Sequence, residues 1–189
     1  YYQASLAIRQ EVGDRAGEGV TLNNIGTVYR QQDNYSEALR YYQQSLAILQ
    51  EIGDRAGEGT ILNNIGAIYR QQDNYSEALR YYQASLAIRQ EVGDRAGEGF
   101  TLNNIGIALA YRGLNQETPE DFLEAVPYIR AGLMIAIEIG SQADITSRRQ
   151  SLINLLETIR DQVSPAYRQQ CGETAEVTGI EIGEWCPDL

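Results

Sequence analysis

Histidine is missing altogether from this 189-residue chain. That removes the commonest general base and the commonest metal ligand. Cysteine is almost missing: Cys171 and Cys186 stand fifteen positions apart near the end, with the single tryptophan, Trp185, beside the second. Without a Cys-x-x-Cys pair or a histidine, zinc is not expected. Two readings stay open: a Cys171–Cys186 disulfide if the compartment oxidises, or two free thiols in a cytosolic chain. Basic residues are in deficit, 15 against 26 acids, for a net charge of −11. General nucleic-acid binding needs the opposite sign to displace counterions from phosphates, and so does docking on an anionic membrane face. No apolar run approaches the roughly 18 residues of a membrane span. The acids never fall into the spacing of a calcium loop, so neither a metal nor a cofactor is expected. No signal peptide or lipidation motif is visible, and the expected location is cytoplasmic.

What the chain has instead is repetition. Asp14–Asp33 recurs as Asp54–Asp73 with small changes, and its first nineteen residues recur again from Asp94 to Arg112. The period is forty residues, which signals stacked supersecondary units. Tyr1–Gly19 is identical to Tyr81–Gly99, so the chain opens in mid-repeat and its true N-terminus is expected to lie upstream.

Each unit reads as two helices. Gly13-Asp14, Gly53-Asp54 and Gly93-Asp94 are joints at which glycine suits the left-handed residue after one helix and aspartate caps the next. The first helix is predicted from about Arg15 to Gln32. At 100° per residue, Thr21, Leu22, Ile25, Val28 and Tyr29 share one face, the expected core. Val20, Asn24, Thr27 and Gln31 fall opposite, with Asn23 and Arg30 at the margin. That second face is polar yet short of charge, which is unusual for plain solvent-facing surface. Asp33-Asn34 breaks the helix, and Asn34-x-x-Glu37 predicts a capping box, repeated as Asn74-x-x-Glu77. The second helix runs from about Tyr35 to Ile52, with Ala38, Leu39, Tyr42, Ser45, Leu46 and Leu49 as its buried stripe. Gly26, Gly66 and Gly106 sit in mid-helix, where glycine costs about 1 kcal/mol relative to alanine. Ala38, Ala78 and Ala125 occupy the corresponding places on the second helices, so glycine against alanine predicts close backbone approach. Gly57 and Gly59 either do the same towards the preceding unit or mark a frayed helix start.

Unit three departs from the pattern. About seven residues are inserted between Gly113 and Asp121, Thr118-Pro119-Glu120-Asp121 reads as a helix start, and Pro127 is expected to kink the helix it begins. A further helix from about Gln142 to Val163 carries Ile153 in the glycine position and Ser151 in that of the second asparagine. It reads as a cap over the last unit's apolar face. The expected layout is a repeat array over 1–163 (a partial repeat 1–13, repeats of about 14–53, 54–93 and 94–140, and a capping helix of about 142–163), then a tail or linker over 164–189.

Leu22, Ile25-Gly26, Tyr29, Ala38 and Tyr42, matched again by Leu62, Ile65-Gly66, Tyr69, Ala78 and Tyr82, resemble the tetratricopeptide repeat signature. The long period and the Glu-Ile-Gly-Asp-Arg-Ala-Gly-Glu-Gly joint are similar to the long-repeat branch found in Pins-type adaptors, kinesin light chains and bacterial arrays. The resemblance covers Tyr1 to about Gly140. It implies an all-α fold, a right-handed α-solenoid of antiparallel helix pairs with a C-terminal capping helix and an irregular tail. It also implies that the second asparagine of each pair contacts a ligand's backbone.

On that geometry Asn24, Asn64 and Asn104, with Asn23, Asn63 and Asn103 beside them, form a row on the concave side. An amide offers a donor and an acceptor and can grip a peptide bond at both its groups. The alternative is that these amides tolerate a half-buried face or bond to a neighbouring helix. Arg30 and Arg70, with Gln31 and Gln71, lie further along the same side, placed either for a ligand carboxylate or to offset nearby acids. Thr27, Ala67 and Ile107 grow more apolar along the row, and Ala110-Tyr111 replaces Arg-Gln in unit three. The tyrosine pairs Tyr41-Tyr42 and Tyr81-Tyr82 read as one core and one flank residue each, not as a stacking platform for bases. The glycines of the joint are not a phosphate loop, since no strand precedes them and no Lys-Ser/Thr follows.

The expected function is that of a non-enzymatic scaffold holding an extended or helical peptide segment in its groove. The other readings are a regulatory or sensor module of a larger protein, and an architectural array that self-associates through the open N-terminal repeat face.

Overall fold

The computed structural model describes residues 1–116 and 119–162. Thr118, the tail and the thiols of Cys171 and Cys186 lie outside the described residues. Those residues form helices α1 (Tyr2–Glu11), α2 (Arg15–Gln31), α3 (Tyr35–Glu51), α4 (Arg55–Gln71), α5 (Tyr75–Val92), α6 (Arg95–Gln116), α7 (Pro119–Glu138) and α8 (Gln142–Gln162), with no strand among them. Within each of two units, helices adjacent in sequence pack as neighbouring pairs, the arrangement of an α-solenoid. The chain divides into two compact units, the first from Tyr1 to Asp94 and the second from Arg95 onward.

In the first unit every joint follows from its residue types. Gly13 and Gly53 adopt φ of +72° and +71°, the left-handed region that glycine enters without a Cβ penalty. Asp14 and Asp54 accept from the backbone N–H of Gly17 and Gly57 at 2.9 Å. Asp33 and Asp73 are the non-glycine residues in the left-handed region, with φ of +56° and +57°. The predicted capping box forms by only one arm. Asn34 accepts from the Glu37 N–H at 3.4 Å. Its own N–H bonds the carbonyl of Tyr29 at 2.9 Å, closing the previous helix, so the Glu37 carboxylate turns to Arg40 instead.

The glycine notch is present, and its tightest neighbour is an aromatic ring. A Cβ on Gly26 would lie 2.7 Å from Tyr42 ring carbons and 3.2 Å from the Ala38 carbonyl, and Gly66 meets Tyr82 and Ala78 in the same way. Ser45 and Ser85 tie the hairpins further, each donating to the carbonyl of Gly19 or Gly59 at 2.7 Å. Gly59 faces Ile88 of its own hairpin partner, not the preceding unit, whereas Gly57 faces Leu49 on α3. Between the hairpins, Ala38, Tyr42 and Leu49 of α3 join Ile61, Ile65 and Ile68 of α4 in one core. Val28 departs from expectation. It is 36% exposed, while its repeat partner Ile68 is fully buried in that core.

In the second unit the described part of the insertion, up to Gln116, is helical. It extends α6 to Gln116, making it 22 residues long. Arg112 then clamps the start of α7 with a two-pronged bond to Asp121 at 2.7 and 2.6 Å. Helix α7 continues through Pro127. Gly106 keeps the notch, here against Ile129 and the Ala125 carbonyl. Helix α8 packs on α7 through Leu152 and Leu155, and its buried Arg148 donates to the Gly132 carbonyl at 2.5 Å.

Candidate interaction site

Within the first unit α2 and α4 lie side by side, and the amides of successive repeats come within bonding distance. Asn64 donates through Nδ2 to Asn23 Oδ1 at 2.9 Å. One arm of this pair is therefore used between helices, as the alternative reading of the row allowed. The first asparagines lean inward: Asn63 is only 4% exposed, and Asn23 is half-buried. Asn24 and Asn64 are half-buried, and Asn24 makes no hydrogen bond with the described residues. Gln31 and Gln71 are exposed at the ends of their helices.

The two repeats of this unit differ at one consequential place. Thr27 bonds the hydroxyl of Tyr42 at 3.1 Å, so that buried phenol is satisfied. Ala67 stands in the corresponding position of the next repeat and has no hydroxyl to offer. Tyr82 is fully buried, and its oxygen has no partner at hydrogen-bonding geometry. Burial pushes the Tyr82 hydroxyl above the usual tyrosine pKa, and the nearby guanidinium of Arg70, more than that of Arg30, pulls it back. Arg30 and Arg70 are both half-buried, each with its Nε enclosed and unbonded. Arg30 forms no ion pair with the described residues, unlike Arg15, Arg40, Arg55 and Arg80.

In the second unit Asn103 is 8% exposed and Asn104 half-buried. Ile107 lines a cavity of about 260 Å³ with Ala110, Tyr111 and Leu114 of α6 and Phe122 of α7. Ile129 of α7 and the α8 face that carries Ser151, Asn154, Leu155 and Thr158 complete it. Tyr111 and Leu114 are 47% and 45% exposed at its rim.

The tyrosine pairs divide as expected. Tyr42 and Tyr82 are core residues, while Tyr41 stacks on Tyr29 with ring centres 5.4 Å apart and has the Arg40 guanidinium over its ring at 4.1 Å. Among the described residues no group of three or more His, Cys, Asp or Glu is placed to hold a metal, and no helix is long and apolar enough to cross a membrane.

Sequence reasoning missed the chemistry of the joint. Glu18 and Glu58 are buried at 7% and 8% exposure. Each accepts from a glutamine of the preceding helix, Gln10 at 2.9 Å and Gln50 at 3.0 Å. Arg15 holds Glu18 and reaches Glu51 at the far end of the hairpin, as Arg55 holds Glu58 and reaches Glu91. Arg95, Glu98 and Glu138 repeat this in the second unit. The signal was there to find: an Arg-x-x-Glu step at every joint, answered by an acid at the end of the following helix.

No curated protein sequence matches the chain. Among solved structures it is similar to BtubC (BKLC) from P. vanneervenii, with a TM-score of 0.71 at 18% identity over 94% of this chain and 70% of that one. At this identity the likeness speaks to fold alone. A family model described as tetratricopeptide repeat matches residues 1–51 and 57–117, more than half of the sequence. The chain thus belongs to the tetratricopeptide repeat family, whose members are generally protein-interaction scaffolds built on a helical repeat fold.

Proposed function

We propose that this protein captures an extended segment of a partner protein on the α2–α4 face of its first unit. The amides of Asn24 and Asn64, with Gln31 and Gln71, grip the backbone, and Arg30 and Arg70 take acidic groups. Asn23, Asn63 and Thr27 hold these groups in place from behind. In the second unit Asn104 and the cavity beside Ile107 take a peptide bond and an apolar side chain. The observation that carries this reading is Asn24: a half-buried amide on a polar, charge-poor face, with no bond to the described residues. A donor–acceptor pair held at a half-dry surface is suited to a ligand's NH and CO. The test selects a binding sequence from a random peptide array and measures its affinity by fluorescence anisotropy. Asn24→Ala is expected to weaken it by about 1–2 kcal/mol, the cost of hydrogen-bonding groups left unpaired. An unchanged affinity in Asn24→Ala, with the fold intact by circular dichroism, refutes the assignment.

A second reading, self-association, is favoured by helix α1. Its sequence is identical to the second half of α5, Tyr82–Glu91, yet Tyr2 and Ile8 are 47% and 60% exposed where Tyr82 and Ile88 are 0% and 6%. An apolar face that is covered on α5 lies open on α1. Light scattering across a concentration series distinguishes the two: self-association predicts growth in mass that Ile8→Glu abolishes.

A further inference from the structure

The cavity of the second unit has two kinds of wall. Ile107, Leu114 and Phe122 make one side apolar, and no charged residue lines it. The other side carries Ser151, Asn154 and Thr158 of α8. Its two hydroxyls have committed their hydrogens: Ser151 donates to the carbonyl of Ser147 at 3.1 Å, and Thr158 to that of Asn154 at 2.9 Å. What each hydroxyl keeps is an oxygen that can accept. The Asn154 side chain accepts from Gln150 at 2.8 Å and keeps its own N–H groups for a carbonyl. The volume, about 260 Å³, falls short of the roughly 300–1,000 Å³ of sites that enclose a whole small molecule. A guest of this size is one large side chain. Leucine, isoleucine and phenylalanine bring no donor to the hydroxyl oxygens. Tryptophan alone joins a flat apolar body to a donor that asks for nothing to donate to it.

We propose that the guest is Trp185 of this chain's own tail, which makes the tail an internal ligand of the second unit. Trp185 is the single tryptophan of the sequence, and twenty-two residues separate it from Gln162, where α8 ends. Thr158 lies about one turn before that end, so the tether starts from the cavity's own wall. A flexible coil of that length spans about 25 Å on average, ample for a return to α8. Tethering at this range holds the indole at an effective concentration on the order of millimolar, so a weak pocket suffices. The segment before the tryptophan alternates apolar and polar residues through Ile180 and Ile182. Tyr111 and Leu114, 47% and 45% exposed at the rim, offer those side chains an apolar ledge. The acids beside them, Glu181 and Glu184, find no charged partner among the lining residues and stay in water. Docked in this way, the tail holds the place assigned above to a partner's apolar side chain and competes with the partner for it. That consequence rests on the earlier reading; the docking does not.

A lone tryptophan reports on itself. Its fluorescence in the full chain, excited where tyrosine does not absorb and kept in reducing buffer, is titrated with acrylamide. Quenching severalfold weaker than in urea is expected, with emission shifted to the blue. Ala110→Leu fills the cavity, and Leu114→Glu sets a charge at its rim. Both residues are partly exposed, so the fold is expected to hold, and melting temperatures check that it does. Each variant is expected to raise quenching severalfold, and release by at least one of them is the supporting result. A tryptophan quenched in the native chain as readily as in urea overturns the proposal. Protection that survives both substitutions overturns it too, because the indole is then covered elsewhere. Protection that is lost on dilution assigns the indole to a second copy and also overturns it. Competition is read separately: Trp185→Ala is expected to tighten binding of the array-selected peptide severalfold. If the docking tests succeed and that affinity stays unchanged, the tail keeps its cavity and the partner's side chain loses it.

Discussion

Replacing Gly66 by alanine sets two calculable effects against each other. In a solvent-exposed helix interior the change favours folding by about 1 kcal/mol, because glycine has more backbone freedom to lose. Here the new methyl would stand 2.8 Å from two ring carbons of Tyr82 and 3.2 Å from the carbonyl of Ala78. Real Cβ contacts do not come under 3.0 Å, so something must move. The ring belongs to a fully buried side chain and the carbonyl is backbone, so neither gives cheaply. Overpacking of this kind costs about 1–3 kcal/mol. With two short ring contacts the upper half of that range applies, and the net expectation is a loss of about 1–2 kcal/mol. For a protein of this size that lowers the melting temperature by roughly 2–8 °C. Urea unfolding followed by circular dichroism reads the same loss as a lower midpoint, with the slope checked for the partial cooperativity of repeat arrays. A Tyr82→Leu background removes the ring and should absorb most of the penalty. If Gly66→Ala raised the midpoint, or lowered it equally in both backgrounds, the account of the notch as a steric fit between hairpin helices would be wrong.

Two further predictions concern stability. Ser45 and Ser85 each donate from a fully buried hydroxyl to a backbone carbonyl at 2.7 Å. Ser45→Ala should therefore cost about 0.5–1.5 kcal/mol by removing this buried bond, and a midpoint shift near zero would refute this. The second concerns acid. Arg80 holds the Glu77 carboxyl below the usual carboxylate range, as Arg55 does for Glu91 and Arg95 for Glu138. A folded pKa below the unfolded one contributes stability that is fully present above the unfolded value, about 4.3, and is lost as pH falls through the folded one. Stability should thus be flat near neutrality and fall below about pH 4–5, less steeply in Glu91→Gln. These pairs are solvent-exposed, so the slope should also shrink in salt. An acid limb that Glu91→Gln leaves unchanged would remove that pair from the account.

Much of the fold was legible because the repeat prints each of its constraints more than once. Gly-Asp at each joint, the mid-helix glycines and the buried Ala-Tyr spacing depend on local conformation or on contact within one hairpin, and these reduce to residue type and spacing. Val28 was misjudged for the opposite reason. Helical periodicity shows which face a residue occupies, but whether anything covers that face depends on another helix. The second arm of the capping box was lost to competition: the N–H of Asn34 closes the preceding helix on the Tyr29 carbonyl. The bond from Asn64 to Asn23 could be foreseen only as an alternative, because it joins residues 41 apart whose separation is set by how hairpins stack.

The site divides along the same line. Residues that repeat faithfully, such as Arg15, Glu18 and Glu51 with their later counterparts, turn out to hold joints together, and strict recurrence is what a structural fastening requires. Positions that drift between repeats are free of that duty. The run Thr27, Ala67, Ile107 drifts on the asparagine-bearing helices, and each member changes its surroundings: a satisfied phenol, a buried phenol without that hydroxyl, and an apolar cavity. In an array of near-copies a ligand's identity can be read only where the copies differ. Exchanging Ala67 for threonine would restore the hydroxyl that Tyr82 lacks, and should erase the distinction between the first two repeats without touching either arginine.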